Sequence, residues 1–212
     1  MKNLVAAFAL ILICHQKSTA QEGKLLSDCT VFFNVAAAGA KLDPQVAKTM
    51  EGTTKVLYIK GSKSRSDLIT QTFKQTTITD SKSDSTIILR ELGNLKYISY
   101  LDAGKMRAQN KKYEGIQFNN TGEKKIILGY DCLKLVAKLT NGDAYNVYYT
   151  PSIVPSNKQY EYQFKDIQGF VLEYEEASED GKTNIKYSAS KISLVPVPAA
   201  KFDLPKNGYR VL

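Results

Sequence analysis

The chain has 212 residues, 43% apolar and 24% charged, a balance that supports a sizeable globular core and excludes a disordered chain. Lysine and arginine outnumber the acids by 29 to 21, and the net charge of +8 favours solubility and attraction to anionic surfaces such as lipid headgroups. The lysines are scattered rather than gathered into a stripe, so the sequence does not indicate nucleic acid as a partner.

Residues 1–20 read as a secretion signal. Met1-Lys2-Asn3 is a short positive head, residues 4–14 are an unbroken apolar run, and small residues at Ser18 and Ala20 set a cleavage site before Gln21. The run is too short to span a bilayer as a mature helix, and no later stretch approaches that length. Residues 21–212 are therefore expected to form one exported domain, periplasmic or secreted, with no transmembrane segment. A lipid anchor on Cys14 would need a small residue before it, and Ile13 stands there. The signal also carries the only histidine, His15. Its removal leaves no Ser-His-Asp triad, no Cys-His pair and no imidazole zinc ligand.

The mature chain opens with a β-branched and aromatic run at 30–35 that predicts a strand. Asp43-Pro44 predicts a short helix, with Asp as N-cap, Pro in the first turn, Val46 and Met50 on one face, and Gly52 as its stop. Residues 53–60 form the next strand, Val56 and Tyr58 alternating with Lys55 and Leu57. Gly61-Ser62 turns the chain and 64–73 returns it. Ser81-Lys82-Ser83-Asp84 separates strands 76–80 and 86–92, and Gly93-Asn94 leads into 96–101. Residues 102–123 are rich in Lys, Asn, Gln and Gly and read as a lid-like loop with a helical turn near Met106. Strands resume at 125–128, 131–140, 144–150, 170–177 and 182–195, with hairpin turns at Asn141-Gly142 and Glu179-Asp180-Gly181. Pro196 and Pro198 end the last strand.

The fold class expected is mainly β, a single strongly curved antiparallel sheet or half-barrel with one short early helix and the lid-like loop against it. Cys29 and Cys132 are the cysteines left after the signal. An oxidising compartment permits a disulfide between them, and two free buried thiols are the alternative. The bridge requires their strands to be close neighbours.

Several motifs follow in order along the chain. Tyr58-Ile59-Lys60-Gly61-Ser62-Lys63-Ser64-Arg65 is a strand–turn–strand entry. Later come Gly129-Tyr130-Asp131-Cys132-Leu133-Lys134 and Val147-Tyr148-Tyr149-Thr150-Pro151. Ile167-Gln168-Gly169-Phe170-Val171 and Phe202-Asp203-Leu204-Pro205 close the series. Together they resemble the GLPGLI family and the LolA lipoprotein-carrier superfamily of exported Gram-negative proteins. The departure is that Ile167-Gln168-Gly169-Phe170-Val171 lacks the Pro and Leu of the family's name motif. The resemblance implies a LolA-like architecture and, by analogy, a carrier or sensor of an apolar ligand, lipid or acyl chain.

The candidate cavity residues are Tyr130, Tyr148, Tyr149, Met106 and Phe118. Tyr148 and Tyr149 put one ring on each face of a strand. Under a lid, the sparse apolar residues Met106, Tyr113, Ile116 and Phe118 should point inward. Lys134 is either an inward cation for an anionic headgroup or a solvent-facing lysine, and Arg65 with Asp67 is expected to form a cross-strand ion pair. The acidic cluster Glu173, Glu175, Glu176, Glu179 and Asp180 is split between strand faces and indicates no metal. No Ser–Lys dyad or carboxylate pair stands in a recognisable catalytic setting, so neither an enzyme nor a cofactor is expected. The alternative to a carrier is a structural protein that binds an envelope component through its surface.

Overall fold

The computed structural model describes residues 23–38, 44–177 and 184–212. The signal, the Asp43 cap and the turn at Glu179-Asp180-Gly181 lie outside the described residues. In chain order the elements are β1 (Lys24–Leu26), β2 (Asp28–Ala38), α1 (Pro44–Met50), β3 (Thr54–Lys60) and β4 (Lys63–Ile69). Next come β5 (Phe73–Asp80), β6 (Ser85–Leu92), β7 (Leu95–Leu101), α2 (Ala103–Gln109), β8 (Gln117–Ile127) and β9 (Tyr130–Lys138). The chain ends with β10 (Ala144–Thr150), β11 (Ile153–Pro155), β12 (Phe170–Ala177), β13 (Asn184–Ser193) and β14 (Arg210–Val211).

Twelve strands form one open, almost wholly antiparallel sheet in the order β14-β7-β6-β5-β4-β3-β2-β13-β12-β10-β9-β8. Strands β2 to β7 are a meander, β2 joined to β3 through the segment that holds α1 and β3 to β7 joined by short turns, with Gly61 and Gly93 in the left-handed region at φ 56°. The second group of strands joins the meander where β13 pairs with β2. Short β1 pairs in parallel with β11 beside the main sheet.

One register line, Val35↔Tyr187↔Tyr174↔Val147↔Leu135, fixes a single face across five strands, called the inner face here. Cys29, Val31, Phe33, Leu57 and Ile59 share it by alternation, and all are buried. Ile153, Tyr160, Phe164 and Ile167 from the segment after β10 pack onto it and complete the main core. Burial of each such side chain stabilises the fold by roughly 1.5–3 kcal/mol.

The outer face carries a smaller cluster, Ile78 with Val197 and Phe202, backed by Tyr58 and Leu204. The C-terminal tail makes this cluster by running across the strands. Val197 N–H donates to Asp28 at 2.5 Å, Arg65 donates to the Lys201 carbonyl at 2.6 Å, and Tyr209 donates to Glu91 at 2.8 Å. Arg210–Val211 then pairs with the edge of β7.

The connection 102–116 links opposite sides of the sheet, because β7 lies next to one edge strand, β14, and β8 forms the other edge. A flat sheet would separate them by about 48 Å at ordinary strand spacing. The connection holds α2 and a 3₁₀ turn, and it reaches only about 35 Å. The sheet therefore bends toward its inner face.

Four expectations change. The stretch 102–123 is not one loop: α2 is a second helix, and β8 begins at Gln117. Its polar sequence Asn119-Asn120-Thr121-Gly122 hides the strand, and a register shift between Asn120 and Lys124 breaks the alternation. The return strand 64–73 is two strands, because Thr70 Oγ1 accepts from the Thr72 and Phe73 amides and turns the chain. Arg65 and Asp67 pair along one strand rather than across two, at 2.9 Å, with Thr76 donating to Asp67 at 2.6 Å. Cys29 and Cys132 are free and buried. Three strands separate β2 from β9, so the two cysteine strands are not the neighbours that a bridge requires.

Candidate functional site

Lys55 is the residue from which the site is built. Its register partners on the inner face are Phe33 and Leu68, so strand geometry alone drives a lysine into the interior. It is 7% exposed. The ammonium donates to Tyr174 Oη at 2.6 Å and forms an ion pair with Glu161. It also lies 5.0 Å from the Tyr187 ring centre and 5.2 Å from that of Tyr174. Those two rings stack at 4.6 Å. Such a cation among aromatic faces and a carboxylate is satisfied in every direction.

Glu161 comes from the segment that covers the inner face. Asn157, fully buried, pins this segment to the sheet by donating to Ser64 Oγ at 3.1 Å and accepting from the Gln159 amide at 2.9 Å. Two 3₁₀ turns follow, Lys158–Tyr160 and Tyr162–Phe164, and Glu161 sits between them. Tyr160 packs edge-on against Phe170 and accepts from the Val171 amide. Burial holds the Glu161 carboxyl above its ordinary range, the neighbouring Lys55 opposing it.

A second cover comes from α2 and the 3₁₀ turn Lys111–Tyr113. Asp102 caps α2 by accepting from the Lys105 amide at 2.8 Å, and the Asn110 side chain closes it on the Met106 carbonyl. Tyr162 donates to Glu114, Tyr113 donates to Glu176 at 3.3 Å, and Gln163 donates to Glu176 at 2.7 Å. These bonds tie the two covers to each other and to β12.

Between sheet and covers lies a cavity of about 250 Å³. Its floor is Lys55 with Ser66, Thr77, Thr79 and Thr86, and its roof includes Met106, Asn110, Tyr113 and Gln163. A cavity of about 330 Å³ adjoins it, sharing Met106, Gln159 and Tyr162 and adding Arg107 and Glu114. A third, of about 300 Å³, shares Tyr113 and Glu176 and adds Tyr145. Glu176 pairs with no lysine or arginine among the described residues. The Tyr145 hydroxyl is buried with no hydrogen-bond partner. Burial and nearby Glu176 push the Tyr113 and Tyr145 hydroxyls up, so both stay neutral donors.

Of the five candidate cavity residues, Met106 lines this space. Phe118, Tyr130, Tyr148 and Tyr149 pack against the main core instead. The Tyr148 ring lies 3.7 Å under the Lys125 ammonium on the outer face, where Lys125 and Lys186 both pair with Glu173. Lys134 pairs with Glu123 at 2.9 Å on that same face. No group of acidic, cysteine or histidine side chains able to hold a metal occurs among the described residues.

Lys55, Glu161, Gln163 and Tyr145 were not recognisable as site residues. The segment 153–168 is too short and irregular to show a period. Lys55 carried no local mark either, because its strand is apolar on both phases, Val56 and Tyr58 on one and Leu57 and Ile59 on the other.

No family model matches the chain, and no curated protein does. Membership of the GLPGLI family is thus not shown. Among solved structures, the chain is similar to a conserved protein of Thermus thermophilus, with TM-score 0.51 and 11% identity over 88% of this chain and 90% of that one. MucB is similar at TM-score 0.42 and 10% identity, over 85% of this chain and 58% of its own. A domain assigned to outer-membrane lipoprotein sorting in Vibrio parahaemolyticus is similar at TM-score 0.34 and 10% identity, over 86% and 92%. The likeness to the Thermus protein is one of fold alone.

Proposed function

We propose that the chain is an exported, non-enzymatic ligand-binding protein of the cell envelope, a carrier or sensor that holds its ligand between the inner face and the two covers. The observation that carries this reading is the roofed cavity above Lys55, whose two covers are pinned to the sheet by buried polar bonds. An acyl chain is the poorer fit. Of the inner-face aliphatic side chains Leu68 and Ile88 line the central cavity, and hydroxyls, amides and carboxylates make up most of the rest of its wall. Native mass spectrometry of protein purified from its own envelope, followed by solvent extraction, tests the reading. A bound small molecule is expected, and a mass equal to the bare chain under gentle conditions counts against it.

A second reading, attachment to an envelope surface, has one observation in its favour. At the tip of the β8–β9 hairpin Ile126 is 72% exposed and Leu128 is 42% exposed, next to Lys124 and Lys125. Leu128 holds φ at 53°, which costs a leucine roughly 1–2 kcal/mol. Retention on envelope extracts should weaken as salt rises if the lysines drive it.

A further inference from the structure

We infer that the ligand class is a neutral oligosaccharide, bound along the three adjoining cavities with Glu176 and Tyr145 gripping its hydroxyls; this rests on the ligand-binding reading above. The first ground is charge. Lys55 has its own carboxylate and aromatic faces, so an anionic ligand finds no free cation there. In the adjoining cavities Lys165 pairs with Glu114, Arg107 stands near the same carboxylate and Lys112 lies over the Tyr113 ring. An amine placed against Glu176 would share the cavity with the Lys55 ammonium. A neutral ligand meets neither conflict.

The second ground is the type of polar group. Gln75, Gln109, Asn110, Gln159 and Gln163 all reach the central cavity. A side-chain amide offers two donors and an acceptor, and four of these five spend one position within the protein. Gln163 spends an N–H on Glu176, Gln159 an N–H on Asp84, Asn110 an N–H on the Met106 carbonyl, and Gln75 its oxygen on Arg90, which leaves each with further capacity. Sugar hydroxyls, which donate and accept at once, match such a lining. The Tyr113 and Tyr162 rings add flat apolar surface for the C–H side of a pyranose, whereas the Tyr187 ring is taken up by Tyr174 and Lys55.

The third ground is an orphan. Tyr145 is 7% exposed and lines the cavity that Glu176 shares, and its buried hydroxyl lacks a partner. A buried hydroxyl without a partner is costly, and a ligand hydroxyl placed between Tyr145 and Glu176 would accept from one and donate to the other. Three cavities in a row, each near 300 Å³, suit a chain of about three sugar rings rather than one ring.

The test is a glycan array of neutral gluco-, galacto-, manno-, xylo- and N-acetylhexosamine oligosaccharides. Calorimetry follows with the best hit, with spermidine and oleate run beside it. Binding of a neutral trisaccharide is expected. Tyr145→Phe and Glu176→Gln should each weaken it by about 5- to 10-fold, the loss of one hydrogen bond. Tyr145→Phe should leave the denaturation midpoint unchanged or raised, which a merely structural hydroxyl would not do, and Tyr148→Phe on the outer face should leave affinity intact. Binding of spermidine or oleate with every sugar inert overturns the sugar assignment and keeps the ligand-binding reading. No binding in any of the three classes overturns both.

Discussion

Lys55 and Glu161 are the residue pair on which cover and sheet depend, with side chains 8% and 22% exposed. Removing one partner strands the other in a poorly hydrated site, whereas replacing both with apolar groups of similar volume removes the problem. Lys55→Met should cost about 2–4 kcal/mol by urea denaturation, and Lys55→Met with Glu161→Met should recover most of it. Glu173 on the outer face behaves differently. Burial pushes its carboxyl up, but Lys125, Lys186 and Ser188 outweigh burial and hold it below its ordinary value of 4.5. Its contribution to stability is therefore full above that value and lost as pH falls through the lower, folded-state one. Glu173→Gln should flatten the acid limb of a stability–pH curve below pH about 4.5 and change its shape little above pH about 6. The thiols give a third expectation at this scale. Burial and nearby Asp28 push Cys29 up to about 12, and burial pushes Cys132 up to about 11. Neither should react with a thiol reagent at pH about 8 until the chain unfolds, and reductant should leave the melting temperature unmoved.

At the scale of elements, the junction of β10, the cover segment and β12 turns on Gly169. A side chain there would meet the Thr150 carbonyl oxygen at 2.4 Å and the Tyr149 ring at 2.7 Å. Both neighbours are held, Thr150 by its pairing with Phe170 and Tyr149 by packing on the core. Gly169→Ala should thus cost about 2–3 kcal/mol, read as a fall in denaturation midpoint, because the strand pair must part to admit a methyl group. The same junction marks how far sequence reasoning reached. Strands 144–150 and 170–177 coincide with the observed β10 and β12, since both are aromatic and aliphatic runs bounded by turn residues, even though a register shift between Tyr148 and Tyr149 breaks their alternation. The site between them stayed hidden because Asn157, Glu161 and Gln163 owe their positions to tertiary bonds, not to any local period. The candidates Tyr148 and Tyr149 were visible as aromatics on a strand, but alternation alone could not say which face is roofed. Lys55 illustrates a second failure: its strand is apolar on both phases, Val56 and Tyr58 on one and Leu57 and Ile59 on the other, so alternation did not say that the lysine faces in.

Over the whole molecule, the connection 102–116 does two jobs at once: it roofs the cavity and ties the far side of the sheet, β8, back to β7. A short turn could not replace it, because β7 and β8 are not neighbours and the tether must still cross the inner face. The informative variant keeps its length and changes its chemistry, with residues 103–113 rewritten as glycine and serine. The β2–β7 meander and the β8–β10 and β12–β13 groups have their own pairings, so the sheet should still form, with a lower midpoint because Met106 and Tyr113 no longer pack. The cavity would lose the Tyr113 donor to Glu176 and the Asn110 amide together. Ligand affinity should fall by at least about 10-fold while far-UV circular dichroism keeps its β signature. If affinity survives intact in that well-folded variant, the ligand does not lie beneath α2, and the surface at the β8–β9 tip becomes the place to look.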